Sequence, residues 1–131
     1  FRFLTTTHPA NLPGEIAGKG SNETWAVKRA KEEIADPLGI PYEHIIVTSL
    51  DADTVVFPKY FSCLAYHYLC SPDPLHYSYQ PVPLFINNIW SSSIPSRLFA
   101  FATTFWFLMN QERPEKLSTF ASHSMPFKTL V

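Results

Sequence analysis

The sequence carries little net charge and little cysteine. Its 131 residues have a formal net charge of -1 at pH 7. The basic footprint of a nucleic-acid-binding protein is therefore missing, and we expect no nucleic-acid partner. The two cysteines, Cys63 and Cys70, are too few for a disulfide framework, so a reducing intracellular compartment is the default. They lie seven residues apart on a predicted helix, a spacing that lets both face the core.

Targeting and membrane-spanning patterns are also missing. The opening residues, FRFLTTTHPAN, have no basic stretch followed by an apolar one, so we expect no secretory signal peptide. The most apolar segment, Leu98–Met109, is about a dozen residues long, whereas a membrane-spanning helix needs roughly 20. The chain begins at Phe1 without methionine and stops at KTLV without a cap or turn. We interpret it as an excerpt of a longer protein.

What the sequence does contain is apolar and aromatic side chains, 46% and 15% of all residues, with only 16% charged. This composition argues against disorder, and the length fits one domain or part of one, residues 1–131. Strands are predicted at Phe1–Thr6, His44–Leu50 and Tyr79–Ile86, and helices from Ser21 or Asn22 to Pro37, from Pro58 to Cys70 and at Pro95–Gln111. The sequence does not predict whether Ser118–Val131 forms a helix or a strand. The alternation predicts an α/β fold, a largely parallel sheet flanked by helices.

Two carboxylates, Asp51 and Asp53, follow the predicted buried strand. Ligands of open α/β sheets bind beyond the carboxyl ends of the strands, which is where this D-x-D pair lies. If the backbone stays extended, both carboxylates point into one small volume and suit Mg²⁺ or Mn²⁺ with substrate phosphates. The alternative is that one of them caps the helix that starts near Pro58.

A second candidate stretch is GKGSN, Gly18–Asn22. Its glycines allow close backbone approach, Lys19 supplies a positive charge, and the start of the following helix supplies N–H groups, as in a phosphate cradle. The spacing G-x-x-x-x-G-K-[ST] of a P-loop is absent. The alternative is a glycine-rich loop that only caps the helix.

Taken together, these stretches resemble the family 2 glycosyltransferases of the cellulose-synthase-like type, which have the GT-A fold. KGSN resembles their KAGN-type segment, and SLDADTVVFPKYF resembles their D-x-D strand followed by a helix that starts at proline. SYQPVPLFINN resembles their later Q-x-P…F-x-N strand, although its prolines flank the family position. TFASHSMPFKTLV resembles the segment before their acceptor region. The matching residues in these last two stretches are Gln80, Phe85, Asn87, Phe120, Ser122, Ser124 and Lys128.

The resemblance covers nearly the whole chain and implies an inverting transferase that uses a nucleotide-diphospho-sugar donor. Asp53 would bind the divalent metal, Asp51 would contact the ribose or sugar side of the donor, and both are metal-site candidates. Lys19 and Asn22 would lie beside the nucleotide. The general base would lie beyond Val131, and the first strand of the sheet would lie before Phe1. The GT-A sheet is therefore expected to be incomplete at both ends, and we expect no catalytic turnover by this piece. The acceptor would be a glycan or a lipid-linked group. The full-length protein would be associated with a membrane and face the cytoplasm, with membrane segments outside this piece.

Further candidates come from position in the chain. The five histidines lack zinc-ligand spacing, but His123, among the small residues of SHS, is a donor-site candidate. Asn87, Asn88 and Trp90 follow a predicted strand and are acceptor-site candidates, with an ordinary turn as the alternative. The aromatic helix at Pro95–Gln111 predicts burial on several sides, against partners or against lipid.

Two other function classes stay open from the sequence. A Mg²⁺-dependent nucleotidyltransferase also places acidic pairs at strand ends. A non-enzymatic interaction domain would dock a partner through the aromatic helix, and its D-x-D would only cap a helix. Only the enzymes require metal-dependent nucleotide binding.

Overall fold

The computed structural model describes residues 3–10, 12–113 and 122–131. A long helical stretch comes first, followed by a short strand, two separate helices, a second short strand and a final helical turn. The helices are α1 (Lys19–Ala30), α2 (Asp36–Leu38), α3 (Tyr60–Cys70), α4 (Ile94–Gln111) and α5 (Phe127–Leu130), and the strands are β1 (Ile46–Ser49) and β2 (His123–Pro126). A π-helical turn, Lys31–Ala35, joins α1 to α2, and 3₁₀ turns cover Tyr42–His44 and Pro74–His76.

The first helix starts earlier and ends later than the sequence predicts. It begins at Lys19, not at Ser21 or Asn22. Pro37 does not stop it, because the π-helical turn lets α2 start afresh and places the proline, which has no N–H, in the new first turn. The stop is Gly39, whose φ of 61° is left-handed. Its N–H donates to the Asp36 carbonyl at 3.1 Å in a Schellman-type ending.

The predicted strand at His44–Leu50 is confirmed as β1, and it pairs antiparallel with β2. The predicted strand at Tyr79–Ile86 is wrong beyond its first residue, since only Tyr79 forms a bridge, to Ser124. Pro81 and Pro83 explain this, because proline has no N–H to give to a ladder. Residues 3–6 are not a strand, and residues 1 and 2 of that prediction lie outside the described residues. The largely parallel GT-A sheet stays a prediction.

The two later helices are confirmed with small changes of boundary. Helix α3 starts at Tyr60, two residues after Pro58, and its N-cap position is Lys59 with φ at 69°. Helix α4 starts at Ile94, with Pro95 in its first turn, and the Ser93 hydroxyl accepts a hydrogen bond from the Ser96 N–H at 3.4 Å. The segment from Ser118, left without a type by the sequence, contains β2 and α5, while residues 118–121 lie outside the described part.

The described core is small and centres on β2 and α5. Phe127 is 2% exposed, and its ring meets Tyr42 edge to face with centroids 5.2 Å apart. Ser124 is fully buried, and its hydroxyl lies 2.9 Å from the Thr48 hydroxyl. The other buried apolar side chains of the described residues are Ala35, Tyr68, Phe107 and Pro126.

The prediction that both cysteines face the core is wrong. Cys63 and Cys70 are both exposed, because α3 buries Tyr68 and partly buries Leu64, which lie roughly 100° or more around the helix from the cysteines. Helix α4 is not buried on several sides by the described residues, and its burial against partners or lipid stays a prediction. Its exposed aromatic side chains are Phe99, Phe101, Phe105 and Trp106.

Candidate functional site

The structure brings the two predicted donor-site stretches into direct contact. Lys19, in the first turn of α1, donates from its Nζ to Oδ1 of Asp51, which follows β1 by two residues. Glu23, one helical turn after Lys19, places a carboxylate oxygen 3.7 Å from the same Nζ. The hydrogen bond to Asp51, helped by the Glu23 charge, raises the pKa of Lys19 against the opposing effect of desolvation. Lys19 is therefore held protonated and positioned beside Asp51.

The Asp51 and Asp53 pair lies on a tight turn. The Thr54 N–H donates to the Asp51 carbonyl at 3.0 Å, which reverses the chain directly after the strand. The extended backbone assumed for a shared carboxylate volume is therefore absent. Both aspartates are exposed, and the Asp53 carboxylate makes no ion pair or hydrogen bond within the described parts of the chain.

A third predicted residue also reaches this turn. The Asn87 amide donates from Nδ2 to the Asp53 carbonyl oxygen at 3.2 Å, across 34 positions of sequence. Asn87 was expected at the acceptor site, whereas Asp53 was expected at the donor site. Their contact joins the loop after Pro83 to the turn after β1, so three separate stretches meet at the carboxyl end of β1.

The capping alternative for the aspartates is wrong. The N-cap position of α3 is Lys59, and no side chain caps that helix. The alternative for GKGSN, a glycine-rich loop that caps the helix, does describe the local structure, because Gly18 is the N-cap residue of α1. The Ser21 hydroxyl donates to the carbonyls of Ile16 at 3.0 Å and Gly18 at 2.9 Å, which fixes the loop to the helix.

A cleft of about 780 Å³ lies next to these contacts, between α1 and one face of the sheet. His123 lines it from β2, as Ser49 does from β1, and the Ser49 hydroxyl donates to the Glu23 carboxylate. Asp51 and Asp53 do not line this cleft. Its wall is formed by Gly20, Glu23, Thr24, Val27, Lys28, Lys31, Tyr42, Val47, Ser49, His123, Met125, Leu130 and Val131.

The sequence contained a signal for this cleft that motif analysis missed. Gly20, Thr24, Val27 and Lys31 follow the spacing of one helix face. On the sheet side, alternate residues line the cleft, namely Val47 and Ser49 on β1 and His123 and Met125 on β2. The register that joins the two strands could not be read from the sequence, because 73 residues separate Ser49 from its partner His123.

The remaining predicted residues lie apart from the cleft. Asn22 is exposed in the first turn of α1. Trp90 is 88% exposed on a turn, and its carbonyl accepts a hydrogen bond from Arg97 at 2.9 Å. Asn88 lines a separate cavity of about 270 Å³ beside the start of α4.

A complete metal site is not formed by the described residues. No group of three or more histidine, cysteine, aspartate and glutamate side chains in residues 3–10, 12–113 and 122–131 is placed to hold a metal ion. A divalent ion bound mainly by substrate phosphates needs only one or two carboxylates, and the exposed Asp53 carboxylate fits that mode.

Comparison with known proteins does not assign the chain to a family. It matches no family model, no curated protein and no solved structure. Within the described residues, no helix has the length and apolar character needed to cross a membrane.

Proposed function

We propose that this chain is the donor-binding part of an inverting glycosyltransferase that uses a nucleotide-diphospho-sugar, built on a GT-A framework. The observation that carries the proposal is the contact between Lys19 and Asp51, across 32 positions of sequence. It joins the GKGSN stretch to the D-x-D stretch, two of the four segments that carry the family resemblance. An interaction domain with a helix-capping D-x-D does not require these segments to meet.

The roles of the side chains follow from their placement. The start of α1 offers backbone N–H groups, and Lys19 adds a positive charge, so a diphosphate is stabilised there. Asn22, in the same helical turn, hydrogen-bonds the nucleotide, and His123 contacts the donor from the cleft. Asp51, held by Lys19, accepts hydrogen bonds from the ribose or sugar hydroxyls.

Asp53 is the residue that would hold Mg²⁺ or Mn²⁺, with Asp51 as its neighbour on the same turn. When bound, a divalent ion would neutralise the negative charge that develops on the diphosphate leaving group. The Asn87 amide fixes the carbonyl of Asp53 and so orients this turn. Asn87, Asn88 and Trp90 are assigned to a glycan or lipid-linked acceptor, and the general base to a residue beyond Val131. We also propose that the parent protein works at the cytoplasmic side of a membrane.

The test is calorimetric titration of the chain with UDP and with GDP, each with and without Mn²⁺. We expect one diphosphate to bind in a metal-dependent manner. Asp53→Asn should weaken that binding by at least about tenfold, because it removes the carboxylate ligand of the ion. Asp73→Asn is the matched control, since Asp73 is an exposed aspartate that pairs with His76 on another turn, and it should bind normally.

Three results would separate the open alternatives. Absence of binding by both diphosphates in the presence of Mn²⁺ contradicts the transferase. Binding of nucleoside triphosphates in preference to diphosphates favours the nucleotidyltransferase class. Equal binding by the wild type and Asp53→Asn contradicts the role given to Asp53, whatever the class of enzyme.

A further inference from the structure

Helix α1 begins with a lysine at a position where helix energetics disfavour one. Lys19 is the first residue of α1, and the first turn contains no acidic side chain. A positive charge there opposes the partial positive charge of the helix N-terminus. Its pair with Glu23, four residues later, also has the less favourable order, since glutamate before lysine stabilises a helix more. The helix itself therefore does not explain this lysine or its pairing with Glu23.

Contacts between α1 and the strand side of the fold supply an explanation. The Glu23 carboxylate accepts a hydrogen bond, at Oε1, from the Ser49 hydroxyl at the end of β1. The same oxygen lies 3.7 Å from Lys19 Nζ, which is longer than an ordinary hydrogen bond. That Nζ donates instead to Asp51 Oδ1. One ammonium group thus lies between two carboxylates, of which one is fixed to β1 and the other holds the ammonium.

The ion pair between Lys19 and Asp51 is one that a ligand can exchange. Its side chains are 44% and 46% exposed, and exposed ion pairs are weak. Any ligand of Asp51, whether a divalent ion or a donor hydroxyl, competes with Lys19 for the same carboxylate. Lys19 then needs another anion close by, and Glu23 Oε1 is already placed at 3.7 Å. The arrangement therefore gives Lys19 a second carboxylate to pair with.

We propose that Glu23 is a positioning residue of the donor site, which keeps Lys19 at the start of α1 when Asp51 turns to a ligand. The inference rests on the proposed function, since it concerns the same divalent ion and the same diphosphate. Held by Glu23, the Lys19 charge stays beside the backbone N–H groups of the first turn and stabilises the diphosphate there. Without Glu23, Lys19 stays on Asp51 and opposes the ion. Glu23 acts through Lys19 and does not itself contact the donor.

Two other roles for Glu23 predict different results. If Glu23 were itself a metal ligand, its removal would weaken Mn²⁺ binding whether or not Lys19 is present. If Glu23 only tied α1 to β1 through Ser49, its removal would lower the stability of the fold and leave the affinity for ligands unchanged. A positioning residue that acts through Lys19 has an effect on binding that disappears once Lys19 is replaced.

The first measurement is calorimetric titration of the chain with Mn²⁺ alone, at about 0.15 M salt to screen long-range effects of net charge. We expect Lys19→Met to bind Mn²⁺ about threefold to tenfold more tightly than the wild type, because a competing positive charge leaves Asp51. Lys128→Met is the matched control, since Lys128 is an exposed lysine on α5, and it should bind Mn²⁺ like the wild type. Equal affinities of Lys19→Met and the wild type, or no binding by either, would overturn the proposal.

A double-mutant cycle then tests whether Glu23 acts through Lys19, and circular dichroism checks that each variant folds. Glu23→Gln should weaken Mn²⁺ binding by about threefold in the wild-type chain and by much less in Lys19→Met, because the two side chains act as one unit. Glu32→Gln is the control, since Glu32 is exposed and pairs with Arg29. Equal weakening in both backgrounds would make Glu23 a metal ligand, and unchanged affinity in the wild-type background would leave it a structural contact. Either result contradicts the proposal.

Titration of UDP and of GDP at saturating Mn²⁺ separates this inference from the proposed function. Glu23→Gln should weaken the binding of the preferred diphosphate, since Lys19 is then not kept at the start of α1. Absence of diphosphate binding by the wild type, with the Mn²⁺ results as expected, contradicts the transferase and supports the placement of Lys19 by Glu23. Equal Mn²⁺-dependent diphosphate binding by the wild type and by Glu23→Gln contradicts the inference alone.

Discussion

At the scale of single residues, Tyr68 shows how one polar atom can be accommodated in a small core. Its side chain is 7% exposed, and its hydroxyl donates to the Glu43 carbonyl at 2.6 Å. The hydrogen bond satisfies the hydroxyl, while the ring packs at 6.1 Å from the ring of Tyr79. Burial, with smaller effects from Tyr79 and Glu43, raises the pKa of Tyr68 because a phenolate would lose its hydration there.

Tyr68→Phe tests both the hydrogen bond of the Tyr68 hydroxyl and its raised pKa. At neutral pH we expect a loss of about 1 kcal/mol in the free energy of unfolding, the typical net value of one hydrogen bond. Above the ordinary pKa of about 10, the unfolded wild type releases the Tyr68 proton and the folded form keeps it, so wild-type stability falls as pH rises. That part of the fall should be missing in Tyr68→Phe.

Urea unfolding at several pH values measures both effects. Tyr66→Phe is the matched control, because Tyr66 is 63% exposed on the same helix, and it should behave like the wild type. An alkaline loss of stability that is the same in Tyr68→Phe and in the wild type would contradict this account.

At the scale of elements, the stretch from α1 to α2 depends on side chains that bridge its π-helical turn. Lys31 Nζ lies 2.8 Å from the Asp36 carboxylate, which also accepts a hydrogen bond from the Tyr42 hydroxyl. The bond from Lys31, followed by that from Tyr42, lowers the pKa of Asp36. These contacts tie the end of the helix to the 3₁₀ turn that precedes β1.

The charge state of Asp36 should therefore affect stability in acid. Near pH 4, the ordinary range of an aspartate, the unfolded chain takes up a proton at Asp36 that the folded chain does not. The stabilisation is fully present above that range and is lost as pH falls through the lowered pKa of the folded state. Asp36→Asn should remove this part of the acid dependence, as measured by thermal unfolding between pH 2 and pH 6.

Asp73→Asn again supplies a control, because Asp73 is exposed and its ion pair with His76 lies on another turn. Its acid dependence should follow that of the wild type. The interpretation is contradicted if Asp36→Asn and the wild type lose the same stability between pH 5 and pH 3.

The elements also show what could be predicted from the sequence. β1, α3 and α4 were predicted because their signals are local: a β-branched uncharged run, apolar residues at helical spacing, and prolines that mark boundaries. The turn at Asp51 and the helix through Pro37 were not. The turn contacts Asn87, which lies 34 residues after Asp53, and the helix continues only because of a π-helical turn, so neither is encoded in a short pattern.

At the scale of the whole molecule, very little apolar surface is buried among the described residues. Five apolar side chains are buried, Ala35, Tyr68, Phe107, Pro126 and Phe127, whereas most of the large side chains of α4 are exposed. Because the sheet register and the packing of α5 arise from contacts distant in sequence, the sequence identified many apolar residues but not which of them form the core. The same holds for the candidate site: Lys19, Asp51 and Asp53 were predicted from the sequence, whereas Glu23 and the cleft were not.

Phe127 should be the most sensitive position in this core. Phe127→Ala removes a nearly fully buried ring that packs on Tyr42, and we expect a loss of about 3 to 5 kcal/mol in the free energy of unfolding. Phe99→Ala is the matched control on α4, where the side chain is 75% exposed, and it should change stability by less than about 0.5 kcal/mol. Equal losses in the two variants, measured by urea unfolding, would contradict the described core.

The exposed cysteines give α3 an independent experimental readout. Cys63 and Cys70 are two helical turns apart, a rise of about 10.5 Å, and both thiols are open to reagents. A spin label on each would report the length of this one helix through the dipolar broadening of its electron resonance spectrum, without touching the buried side of Tyr68. Heating would then show whether α3 lengthens into coil before or together with the loss of the sheet, which separates local fraying from cooperative unfolding.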